Sequence, residues 1–170
     1  VKRGSELGFN ALAVPEKYGG SGADVLTQCI VIEELSAGEP AVSKVYSHNW
    51  KALSGLMAIA SEEQIQRVIP RFIDEPDFNI SIGMTEPNTG SDNSLPFSGT
   101  LTAGPMLSAE KKGSHYVLNG TKQWIAMGAQ AKFMTIFART NKSVPWTEGT
   151  SGFMLFPPQE GFEVGRLHNK

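Results

Sequence analysis

Two stretches of the chain bring together residue types able to hold a ligand. The first is Ile82-Gly83-Met84-Thr85-Glu86-Pro87-Asn88-Thr89-Gly90-Ser91-Asp92. It leaves an apolar, strand-like run and enters a loop of small polar residues. There, backbone N–H groups and the hydroxyls of Thr85, Thr89 and Ser91 can face an anion or a planar heterocycle, with Gly90 allowing close approach and a left-handed backbone. Ordinary turn chemistry, an Asx-type bond from Asn88, Ser91 or Asp92, accounts for the same residues equally well. The second stretch is Asn119-Gly120-Thr121-Lys122-Gln123-Trp124-Ile125-Ala126-Met127-Gly128. Trp124 could lie beside a flat cofactor, although the commoner role of such a residue is a sheet aromatic whose indole N–H meets a backbone acceptor.

Other chemistries find little support. With Cys29 the only cysteine, neither an internal disulfide nor a multi-cysteine zinc site can form, and a reducing compartment is expected. His48, His115 and His168 lie too far apart in sequence for the short spacings of metal ligands, so no metal is expected. His48 reads as a satisfied polar residue on a helix, Trp50 as core and Cys29 as a small hydrophobe. Neither a P-loop nor a Rossmann glycine pattern occurs. The 170 residues carry 15 basic and 17 acidic side chains, and the pI is about 5.9. With no basic cluster longer than Lys111-Lys112, nucleic acid is not an expected partner. No apolar run is long enough for a membrane span and no signal-peptide core opens the chain, which points to the cytoplasm, or to the mitochondrial matrix in a eukaryote.

The elements that must position these stretches differ between the two halves. At 40% hydrophobic and 19% charged residues the chain is composed like an ordinary globular protein. The first 75 residues hold 7 basic and 10 acidic groups against 8 and 7 in the rest, and hydrophobic periodicity changes at the same place. Helical spacing runs from Asp24, a plausible N-cap, to a stop at Gly38; the packing face there is Val25, Cys29 and Ile32, with Leu26, Ile30 and Leu35 beside them. A second helix starts at Pro40 and carries a wide apolar stripe to about residue 60. A capping box, Ser61 with Gln64, opens a third, which Pro70 should end or kink. Beyond Phe78 the period falls toward two, and strands are expected near 78–84, 100–110, 115–119, 122–126, 131–139, 152–156 and 162–167, with turns at Lys112-Gly113-Ser114 and Asn119-Gly120. The Pro/Gly/Thr-rich region from Ser94 to Pro105 reads as an inserted surface loop. The predicted fold class is α+β: a helical segment (1–75) followed by a small β-barrel domain (76–170).

Thr-Glu-Pro-x-x-Gly-Ser-Asp at 85–92, followed by Tyr-Val-Leu-Asn-Gly-x-Lys-x-Trp-Ile at 116–125, resembles the acyl-CoA dehydrogenase family. The likeness extends upstream through Pro15-Glu16-Lys17-Tyr18-Gly19-Gly20-Ser21-Gly22, Glu33-Glu34-Leu35 and Glu62-Glu63-Gln64, and downstream through Phe137-Ala138-Arg139-Thr140 and Gly161-Phe162. The resemblance implies a three-domain enzyme of which this chain holds a partial N-terminal helical domain and an incomplete middle barrel, the C-terminal helical bundle being absent. The implied reaction oxidises an acyl-CoA to the 2,3-enoyl-CoA with FAD as hydride acceptor. Its catalytic base, a carboxylate, belongs to the bundle, so no catalytic residue is assigned here. The implied flavin contacts are Ile82, Met84 and Thr85 on the pyrimidine side, Gly90 and Ser91 on the phosphate side, and Trp124 flanking the ring, with Ser91 also near the substrate's pantetheine arm. Ala126 stands where similar enzymes carry a Thr or Ser whose hydroxyl bonds flavin N5. The implied partners are an acyl-CoA, an electron-accepting flavoprotein and further copies of the chain, as a dimer or tetramer when full length. Two other readings remain open: a flavin-dependent oxidase or monooxygenase, which Ala126 favours, and a flavin-free assembly module.

Overall fold

Helix α1 (Lys2–Glu6) is a short lead-in, followed by two 3-10 turns. Local signals then set the next three helices. Asp24 caps α2 (Val25–Gly38), its carboxylate accepting the Thr27 N–H at 2.8 Å. Glu39 caps α3 (Pro40–Ile59) through the Ala41 N–H, with Pro40 in the first turn. Both halves of the Ser61/Gln64 capping box form at the start of α4 (Glu62–Asp74). The computed structural model describes residues 1–94, 101 and 103–168.

Two helix endings differ from expectation. Gly38 belongs to the last turn of α2, and the chain leaves the helix only at Glu39, whose φ is −155°. Pro70 does not end α4, which continues to Asp74. Pro70 is on the exposed face, where the carbonyl that loses its donor is open to water, while Ile65, Val68, Ile69 and Phe72 hold the helix down from the other side. The expected packing face of α2 is also largely wrong. Val25, Leu26, Cys29 and Ile30 are exposed, and only Val31, Ile32 and Leu35 reach the core.

The β-rich half consists of β1 (Asn79–Gly83), β2 (Ser108–Lys112), β3 (His115–Asn119), β4 (Ala131–Arg139) and β5 (Thr150–Leu155), with a one-turn helix, α5 (Trp146–Gly149), before the last. They form one curled mixed sheet, a half-barrel in the order β1-β4-β2-β3, with β5 on the other side of β4. β1 runs parallel to β4, and β2, β3 and β5 add antiparallel pairs. The β2–β3 hairpin turns at Gly113 and Ser114, with Gly113 left-handed at φ +62°, as a tight turn of matching twist requires. Residues 122–126 and 162–167 are not strands, and of the run expected over 100–110 the described residues before Ser108, where β2 begins, are not strand either. Much of the loop expected over Ser94–Pro105 lies outside the described residues, but its end is not surface: Gly104 and Pro105 are buried.

β4 is buried on both faces, which ties the halves together. Phe133 joins the helical core of Tyr46, Trp50, Leu53, Phe72 and Ile80, while Met134, Ile136 and Ala138 pack inside the half-barrel with Leu107 and Ala109. Trp50 is core as expected, its indole N–H donating to the Phe9 carbonyl at 2.9 Å. Asn49 on α3 fixes β1 against the helices: its Oδ1 accepts the Ile80 N–H at 2.9 Å. That bond pins the start of β1, the strand that leads into the loop at 84–92.

Candidate functional site

β1 delivers the chain at Gly83 into the polar loop, and the 122–128 segment is folded onto it by four hydrogen bonds. Lys122 Nζ donates to the Met84 carbonyl at 3.0 Å and to Glu86 Oε1 at 2.7 Å. The Gln123 N–H donates to the Thr85 carbonyl at 2.9 Å, and Gln123 Nε2 to the Glu86 carbonyl at 3.1 Å. The carbonyls of three successive residues are thus all engaged from the 122–123 side. Glu86 closes the base of the loop as well: its carboxylate accepts the N–H groups of Met106 at 2.7 Å and Leu107 at 2.9 Å. Both charged side chains are 7% exposed. Burial pulls the Lys122 ammonium below its ordinary pKa, and the hydrogen bond and charge of Glu86 oppose that pull.

Beyond Gln123 the backbone turns where a strand was expected. Trp124 has φ +58° and Met127 φ +60°, left-handed values that non-glycine residues rarely adopt. Ser81 Oγ donates to the Ala126 carbonyl at 2.7 Å, which together with the Gln123 ties imposes the turn. Its result is an indole that is 59% exposed, contrary to a packed sheet aromatic. The ring of His168 rests against it with centroids 4.3 Å apart, so this face accommodates a flat ring.

Between the two segments lies an open cavity of about 300 Å³, lined by residues 85–90 with Gln123 and Trp124. Of the residues singled out in the sequence, Thr85, Asn88, Thr89, Gly90 and Trp124 meet around it, but the hydroxyl of the buried Thr89 donates to the Gly104 carbonyl at 2.9 Å instead of facing a ligand. Ile82 stays in the sheet, paired with Thr135, and Met84, Ser91 and Ala126 adjoin the lining without forming it. The Asx-type bond expected here takes another form: Asp92 Oδ1 accepts the Gly90 N–H, two residues back rather than two residues on, at 2.7 Å, and Ser91 opens a 3-10 turn. Gly90 does not use the left-handed region, and among the described residues a Cβ there would meet nothing within 4 Å, so crowding by those residues does not demand a glycine. The open space there leaves room for a ligand to come close to the main chain. An exposed indole, the hydroxyl-bearing Thr85 and an uncrowded glycine fit a flat ring carrying an anionic tail. Sequence reasoning missed the roles of Glu86, Lys122 and Gln123. The available signal was the opposite charges of Glu86 and Lys122, one in each motif.

Elsewhere, His48 is buried rather than satisfied: on the packed face of α3, neither ring nitrogen has a hydrogen-bond partner among the described residues. Burial and the charges of Lys51 and Lys44 lower its pKa to about 4. Among the described residues no group of three or more His, Cys, Asp or Glu could hold a metal, and no helix is long and apolar enough to cross a membrane.

Residues 1–76 match the model of the acyl-CoA dehydrogenase N-terminal domain and residues 81–170 that of the acyl-CoA dehydrogenase middle domain. The chain belongs to the acyl-CoA dehydrogenase family. Mitochondrial isovaleryl-CoA dehydrogenase of Pongo abelii is 32% identical, over 99% of this chain and 38% of its own length. Among solved structures, butyryl-CoA dehydrogenase from Megasphaera elsdenii superposes with TM-score 0.84 at 29% identity, over 99% of this chain and 43% of that one. A chain in the structure of the electron transferring flavoprotein of Acidaminococcus fermentans gives TM-score 0.87 at 31% identity, over 99% and 42%. The prolyl acyl carrier protein oxidase AnaB (TM-score 0.82, 27% identical, 99% and 43%) and a Mycobacterium smegmatis glutaryl-CoA dehydrogenase in complex with FADH2 (0.80, 28%, 99% and 40%) share the fold too. The chain therefore spans well under half the length of these relatives.

Proposed function

We propose that this chain supplies the flavin-holding part of an FAD-dependent acyl-CoA dehydrogenase that converts an acyl-CoA to the 2,3-enoyl-CoA. The observation that carries the reading is the left-handed turn at Trp124, which holds an exposed indole over the cavity beside the 85–90 loop. The His168 ring covers part of this strained, exposed indole, and a flat ligand would cover more of it. The FADH2 complex of the glutaryl-CoA dehydrogenase relative supports the choice of ligand.

In this reading residues 1–75 form a partial helical domain that braces β1, and residues 76–170 form the barrel domain. The main chain at Ile82, Met84 and Thr85, with the Thr85 hydroxyl, addresses the pyrimidine side of the ring. Gly90 and Ser91 address the phosphate side and the pantetheine arm, and Trp124 covers the ring. Bound there, FAD supplies the two-electron acceptor for the β-hydride of an acyl thioester whose α-proton goes to a carboxylate outside this chain. Fixed N–H donors at the ring's edge stabilise charge without reorganising, which is the form of electrostatic help a protein gives a cofactor. An electron-accepting flavoprotein as partner and a dimeric or tetrameric assembly complete the proposal, with the cytoplasm or mitochondrial matrix as its compartment.

The test uses the full-length protein. It should purify yellow, bleach on anaerobic addition of a suitable acyl-CoA and release a product two hydrogens lighter. A protein that binds no flavin would overturn the proposal and favour a flavin-free assembly module. One alternative has its own observation: Ala126 offers no hydroxyl to flavin N5, and the AnaB relative is named an oxidase of a carrier-protein substrate. Rapid consumption of O₂ during turnover, with hydrogen peroxide formed, would assign the protein to that class.

A further inference from the structure

The buried ammonium of Lys122 touches more than its counter-ion. Its second acceptor, the Met84 carbonyl at 3.0 Å, belongs to the same planar peptide unit as the Thr85 N–H. A cation on the oxygen of an amide draws electron density toward itself and strengthens the N–H at the other end as a donor. Thr85 lines the cavity. The Lys122 stem passes beside Gly83, where a Cβ would touch Lys122 Cγ at 3.4 Å and clash with Ile136 Cδ1 at 2.5 Å. Glu86 does not cancel the ammonium as a simple pair would, since its carboxylate is shared with the N–H groups of Met106 and Leu107. At 7% exposure on both sides, solvent screens little of the charge.

Resting on the reading of this cavity as a flavin site, we infer that Lys122 is a positioning residue acting through the Met84–Thr85 peptide: it favours negative charge on the ligand edge facing Thr85, and Glu86 sets how much of the ammonium is felt. A purely structural pair would behave differently. Loss of either member would then loosen the same loops and weaken the site in the same sense. An electrostatic role makes the two residues oppose each other.

The experiment is the midpoint potential of the flavin in the full-length protein at mildly acidic pH, where Lys122 stays charged, together with the affinity for FAD. Lys122→Met should make reduction about tenfold less favourable, a shift of ~30 mV to lower potential for a two-electron couple. Glu86→Gln should move the potential the other way, and Lys122→Arg should restore it toward wild type. Shifts of the same sign in Lys122→Met and Glu86→Gln, or flavin bound with no shift, would overturn the inference while leaving the proposed function standing. Absence of flavin from the wild-type protein would overturn both. Should Lys122→Met fail to fold, the sign of the Glu86→Gln shift decides alone.

Discussion

Helix α2 and the paired loops at 84–90 and 122–124 invert the usual expectation of what is buried. In α2, Val25 is 74% and Leu26 68% exposed, whereas Glu86 and Lys122 between the loops are 7% exposed. Apolar character alone does not secure burial; a second layer must be there to receive it. Charge does not prevent burial when it is well partnered, as the four hydrogen bonds made by the Glu86 carboxylate and the Lys122 ammonium show. His48 lies between these cases, buried on a well-packed helix with neither ring nitrogen bonded among the described residues.

The largest effect expected from this contrast is at the loops. Glu86→Ala leaves the Lys122 charge and two N–H groups without their acceptor, and should destabilise the protein by roughly 3–5 kcal/mol in denaturant unfolding. A loss below 1 kcal/mol would mean that water reaches the pair. His48 should show itself through pH. Its native pKa of about 4 lies below the unfolded value of 6.5, so the unfolded chain binds the extra proton between them. Stability is complete above the unfolded value and declines as pH falls through that window, by up to about 3 kcal/mol. His48→Leu should flatten that decline, and an unchanged profile would assign it to other groups. Ser61→Ala removes one half of a cap made entirely within a single turn and should lower stability by about 1 kcal/mol, read as a shift in thermal midpoint. The smallest effect belongs to α2: Leu26→Ser in the 170-residue chain should change stability by no more than about 0.5 kcal/mol. In the full-length protein the same substitution is the sharper test. A loss of 1.5 kcal/mol or more there, about the worth of a buried leucine, would show that another part of the protein covers this face.

The sequence alone determined what rests on contacts between near neighbours. Asp24, Ser61 with Gln64, and Gly113 each satisfy or bend a backbone within a few residues, so the starts of α2 and α4 and the β2–β3 turn were legible. The motif residues Thr85, Gly90 and Trp124 were legible as site candidates through their types and order. Only the tertiary structure decided the rest. Lys122 meets Glu86 across 36 residues, and Ser81 meets Ala126 across 45. Those ties override the strand preference of Gln123-Trp124-Ile125 and turn Trp124 outward, which local periodicity cannot report because it registers only what the next turn or pleat supplies. The exposure of Cys29 has the same origin: helical spacing gave α2 an apolar face, and the layers packed around it settled how little of that face is covered.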